Sequence, residues 1–176
     1  MTIEHAKQIQ DLYTDCTRFH GQGCPLLALG VRVCETALEK LKLDVPAPGR
    51  LVCVSEFDGC CVDAIQLLLH CTAGTKHLLY YKTGKLIFTV YDLETEKSIR
   101  ICARRDIADT IREMTPEAVL SMEEAALFTF EKAHPLTSRT LAKVTRTCTS
   151  PAPSIPGRSS GVQDCPDQFR AFDAQI

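Results

Sequence analysis

Leu51-Val52-Cys53-Val54-Ser55-Glu56, followed at once by Phe57-Asp58-Gly59-Cys60-Cys61-Val62-Asp63-Ala64-Ile65-Gln66, is where the hydrophobic period changes, and the change decides the fold. The first six residues form an almost unbroken apolar run between turn signals, the pattern of a strand covered on both faces. After Gly59, the residues Val62, Ile65, Leu68 and Leu69 recur at helical spacing. Asp58 is the expected N-cap and Gly74 the expected stop, which predicts a helix over 60–72.

Upstream, Leu27, Gly30, Cys34, Leu38 and Leu41 repeat at three and four, with Arg32, Glu35, Glu39 and Lys40 between them. This predicts an amphipathic helix over 25–43 that starts on Pro25, whose missing N–H would be unpaired there anyway. Gly30 costs about 1 kcal/mol against alanine in a helix, so it marks a close approach of a neighbouring backbone. Ile3, Ala6, Ile9, Tyr13 and Cys16 outline an earlier amphipathic helix over 3–17. If the helices on either side of strand 51–56 both run antiparallel to it, they are parallel to each other. Their N-termini then meet at the carboxyl end of that strand, the edge where open α/β sheets bind ligands.

Downstream, residues 77–82, 85–92 and 97–103 alternate like strands around turns at Thr83-Gly84 and Glu94-Thr95-Glu96, which predicts a three-strand meander. Asp106 opens a short helix, and Thr115-Pro116-Glu117 a longer one expected to run to His134-Pro135. The fold expected is α+β: an α-β-α-β-β-β core with a mixed four-stranded sheet over 1–147, C-terminal helices, and a flexible Pro/Ser/Gly-rich tail over 148–176.

The net charge of −2 and the lack of a basic block point away from nucleic acid and anionic membranes. No run reaches the ~18 apolar residues of a membrane span, and the first residues lack the pattern of a signal peptide, so a cytoplasmic protein is expected. In that setting the ten cysteines read as reduced thiols rather than as a disulfide framework. There is no C-x-x-C pair, so neither a thioredoxin-like redox motif nor a treble-clef or ribbon zinc site is expected.

The chemistry-bearing stretch is Phe19-His20-Gly21-Gln22-Gly23-Cys24-Pro25. Cys24 falls at the N-cap of one helix and Cys60 in the first turn of the next, where the helix dipole favours a thiolate. His20 can fold back across the glycine turn towards Cys24. Asp63, one turn beyond Cys60, can face the same way. The plainer alternative is a glycine turn beside inert, buried cysteines. Cys16, Cys34, Cys53, Cys61 and Cys102 read as packing, Cys71 as too far along its helix to join, and His5, His77 and His134 as surface or strand-end residues.

HGQGCPLLALG at 20–30, EFDGCCVDAIQ at 56–66, CTAGTKHL at 71–78 and YKTGKLIFTVYD at 81–92 resemble the FmdE family of formylmethanofuran dehydrogenase proteins. The matching positions are His20, Gly21, Cys24 and Pro25, then Cys60, Asp63 and Gln66, then Cys71, Thr72 and Gly74. The resemblance implies the same order of elements, a homodimer, and a molybdenum or tungsten formylmethanofuran dehydrogenase as the enzyme partner. The chain departs from the family at Gln22, where a second histidine is usual, at His70, where glycine is usual, and at Thr75-Lys76-His77. With one imidazole fewer, weak or exchangeable metal binding is expected.

Three functions follow as expectations. The first is a soft transition metal, zinc among the candidates, held by His20, Cys24 and Cys60. The second is a thiol enzyme or sulfur carrier with Cys60 or Cys24 as nucleophile and His20 or Asp63 handling protons. The third is a non-catalytic accessory protein of a larger enzyme.

Overall fold

The computed structural model describes residues 3–44 and 46–133. The expectations for 134–147 and for the tail over 148–176 lie outside the described residues. In order, the elements are α1 (Ile3–His20), α2 (Pro25–Leu41), β1 (Leu51–Ser55), α3 (Cys61–Leu68), β2 (Leu78–Tyr80), β3 (Ile87–Asp92), β4 (Ser98–Ala103), α4 (Arg105–Thr110), α5 (Pro116–Ser121), α6 (Glu124–Leu127) and β5 (Phe128–Glu131), with a short 3-10 turn at Ile111–Glu113.

The class is α+β, but the mixed sheet has five strands in the order β2-β1-β3-β4-β5 rather than four. Only β3 and β4 form the expected hairpin. β2 does not continue a meander: it pairs in parallel with β1 at Cys53 opposite Leu78, and β1 separates it from β3. The fifth strand arises where a helix to His134 was expected. Thr115 caps α5 by accepting the Ala118 N–H at 3.2 Å. Arg32 then takes the carbonyls of Leu120 and Met122, which a continuing helix would need for itself. After the single turn of α6, Phe128-Thr129-Phe130-Glu131 has the aromatic and β-branched make-up of a strand and pairs antiparallel with β4.

The core lies between the helices and one face of the sheet. Leu51 and Cys53 of β1, Phe88 and Val90 of β3, and Ile101 of β4 supply the sheet side, while Leu27, Val31 and Cys34 of α2 and Ala64 and Ile65 of α3 supply the helix side. Leu27 to Cys34 are all buried, so α2 is the central helix rather than a surface one. Its Arg32 is buried too, paired with Glu35 at 2.8 Å one turn on. Gly30 lets α2 and α3 touch: a Cβ there would lie 2.6 Å from the Cys61 carbonyl oxygen and 2.8 Å from Cys61 Cα. α3 is shorter than expected. It ends at Leu68, and His70 adopts a left-handed φ of 55°. That conformation favours glycine, the residue usual at this position in the resembled family.

No helix among the described residues is long and apolar enough to cross a membrane.

Candidate metal centre

His20 is the last residue of α1, and Gly21, at φ 91°, ends that helix with its N–H on the Thr17 carbonyl at 2.8 Å. A left-handed residue after a helix reverses the chain at little cost only when it is glycine. The reversal delivers Cys24 to the N-cap of α2, where its backbone is extended and its sulfur accepts the Leu27 N–H at 3.3 Å. Cys60 occupies the N-cap of α3 without making a capping bond of its own. Asp58, the expected cap, instead pairs with Lys82 at 2.9 Å.

α2 and α3 start at the same end of the sheet, and the structure brings together a ligand atom from each of His20, Cys24 and Cys60, all within 4.8 Å of one another. A metal lies about 2.0–2.3 Å from imidazole and thiolate donors, so a group this size surrounds an ion after a small contraction. Both cysteines are partly exposed, so the site opens to solvent.

The imidazole is held on its far side. His20 Nδ1 lies 2.6 Å from Asp63 Oδ2, and both side chains are largely covered. Asp63 therefore faces His20 rather than Cys60. His20 Nε2 is buried and has no hydrogen-bond partner. A buried, unpaired imidazole nitrogen on a residue grouped with two thiols fits an ion, since an orphaned polar atom there is otherwise a cost.

The expectation that the helix dipole makes Cys60 a ready thiolate is not met. Burial first, and the adjacent Cys24 sulfur second, push the Cys60 thiol up from its ordinary value. Cys61 points into the core, where its thiol donates to the Leu26 carbonyl at 2.9 Å. Cys16, Cys34, Cys53, Cys71 and Cys102 are buried as well. Cys71 stands apart from the cluster, although the helix expected to separate it ends sooner. His5 pairs with Glu35, and His77, expected at a surface or strand end, sits buried before β2 with Nδ1 3.0 Å from the Thr75 carbonyl.

Two hollows lie elsewhere, about 290 Å³ beside Arg32, Glu35 and Met122 and about 500 Å³ beside Leu12, Leu38, Leu43 and Leu67. Neither is lined by His20, Cys24 or Cys60.

Fold and site together define a mixed-sheet α+β domain with a thiol–imidazole cluster at two helix N-termini. The family described as FmdE, molybdenum formylmethanofuran dehydrogenase operon, matches residues 19–147, and the chain belongs to it. It is 33% identical over 87 residues to a probable S-adenosyl-L-methionine-binding protein of Archaeoglobus fulgidus; the match covers 47% of this chain and 24% of that protein. The chain thus spans about a quarter of that relative's length. The fold is similar to the crystal structure of a tungsten formylmethanofuran dehydrogenase FmdE-like protein from Syntrophus aciditrophicus, with a TM-score of 0.51 at 21% identity, covering 72% of this chain and 73% of that one.

Proposed function

We propose that this chain binds a soft transition metal, zinc first among the candidates, through His20 Nε2 and the sulfurs of Cys24 and Cys60. We further propose that it serves a molybdenum or tungsten formylmethanofuran dehydrogenase system in the cytoplasm as a homodimer. The observation that carries the metal reading is the buried, unpaired His20 Nε2 in a group with two thiols while Nδ1 is occupied by Asp63. Family membership supports the link to the dehydrogenase. Three protein donors leave a fourth position open, and a bound divalent ion would act there as a Lewis acid. A Cys60 nucleophile is the lesser reading, because partial burial and the adjacent Cys24 sulfur push its thiol up from its ordinary value.

Metal analysis of the full chain purified without a histidine tag tests this. About one ion per chain is expected, lost in Cys24→Ser and in Cys60→Ser and kept in Cys61→Ser, whose sulfur faces the core. A metal-free protein with one rapidly alkylated thiol would favour the nucleophile instead. A protein both metal-free and unreactive would leave the accessory-protein reading.

A further inference from the structure

The third motif, Cys71-Thr72-Ala73-Gly74, supplies no ligand, yet it is joined to the site by a continuous run of hydrogen bonds. The Ala73 backbone N–H donates to Gln66 Oε1 at 3.2 Å. Gln66 Nε2 donates to Asp63 Oδ1 at 3.2 Å, and Asp63 Oδ2 lies 2.6 Å from His20 Nδ1. The loop that presents Ala73 is itself tied off, with the Thr75 N–H on Thr72 Oγ1 at 3.2 Å and the Lys76 N–H on the Ala73 carbonyl at 3.1 Å.

The orientation of the Gln66 amide is determined at the loop end of this run. A backbone N–H can only donate, so the Gln66 atom facing it must be the carbonyl oxygen. The Gln66 amide nitrogen then faces Asp63 and can only donate, so Asp63 Oδ1 accepts. The carboxylate, whose oxygens only accept and whose orientation that bond fixes, accepts at its other oxygen from His20. The proton of a neutral imidazole is therefore placed on Nδ1, and the lone pair on Nε2, the nitrogen that is buried and unpaired. We propose that Gln66 and the Ala73 N–H are positioning groups for the site: they set the tautomer of His20 through Asp63, so that the imidazole meets the two sulfurs as a ligand rather than as a donor. The metal half of this inference rests on the function proposed above; the tautomer half does not.

Long-range 1H–15N NMR of the imidazoles in the metal-free full chain reads the tautomer directly. Wild type should show His20 protonated on Nδ1. In Gln66→Leu that tautomer should lose its dominance, and zinc affinity should fall about tenfold or more, as for other partners of metal-ligating histidines. Gln66→Glu keeps the shape but puts an acceptor against the Asp63 carboxylate, and should disturb the tautomer likewise if the leucine variant fails to fold. His20 protonated on Nε2 in wild type, or an Nδ1–H tautomer unchanged in a folded Gln66 variant, would overturn the proposal even if zinc binds. A tautomer that responds to Gln66 in a protein without zinc affinity would uphold the relay while refuting the metal reading.

Discussion

At the scale of single residues, Asp63 is the most exacting position, because both of its oxygens accept. Oδ2 faces His20 and Oδ1 faces Gln66. An asparagine offers one oxygen and one NH2, so either the NH2 faces the Gln66 amide, donor against donor, or it faces His20 and forces the imidazole proton onto Nε2. Asp63→Asn should therefore lower zinc affinity about 10- to 100-fold. Its melting temperature should stay near that of wild type, since the side chain is 28% exposed and its loss empties no core. Competition with a chelator of known affinity checks the first expectation and thermal unfolding the second; wild-type zinc affinity in Asp63→Asn would show that the carboxylate does not tune the site. The sequence made His20, Cys24, Cys60 and Asp63 candidates from spacing. It did not show that Asp63 serves the imidazole rather than Cys60, because residues 43 apart meet only through tertiary structure.

Among the elements, the contact of α2 with α3 positions the site, because each helix carries one cysteine at its start. Gly30→Ala should gain helix propensity of about 1 kcal/mol, but its Cβ would meet backbone atoms of Cys61, which cannot rotate away. The net expectation is a loss of about 2–3 kcal/mol, measured by denaturant unfolding, with weaker metal binding as the helix starts shift. Stability equal to wild type would mean that the helices do not pack this closely. This contact was legible at Gly30, as were α2, β1 and the shared edge of Cys24 and Cys60. The end of the sheet was not. Val119, Met122, Ala126 and Phe130 keep a helical period, and what breaks the helix is the side chain of Arg32, about 90 residues earlier, taking the carbonyls of Leu120 and Met122. The parallel pairing of β2 was equally hidden, since a short strand after a tight turn looks the same whichever neighbour it joins.

For the whole molecule, the described fold is pinned where β1 begins and β3 ends. Asp92 is almost fully buried and accepts from Arg50 Nε at 3.0 Å and Nη2 at 2.8 Å, from Thr95 Oγ1 at 2.8 Å and from the Glu94 N–H at 3.1 Å. The Arg50 guanidinium, more than the hydroxyl and the backbone N–H, holds its carboxyl well below the ordinary carboxylate value. Because the folded value is depressed, the stabilisation is complete above about pH 5 and is lost as pH falls below the unfolded value of about 3.9. Asp92→Asn should cost about 2–3 kcal/mol at neutral pH, and the gap to wild type should close as pH is lowered through that range. A gap independent of pH would place the stabilisation in packing instead.

The claim on which function depends, that His20, Cys24 and Cys60 together hold one ion, is met most directly by X-ray absorption at the zinc edge on the full chain, purified without a tag and loaded with zinc. The expected spectrum shows two sulfur donors at about 2.3 Å, one imidazole nitrogen at about 2.0 Å and a light fourth donor from solvent. A spectrum without sulfur, or with no imidazole among the donors, would contradict it.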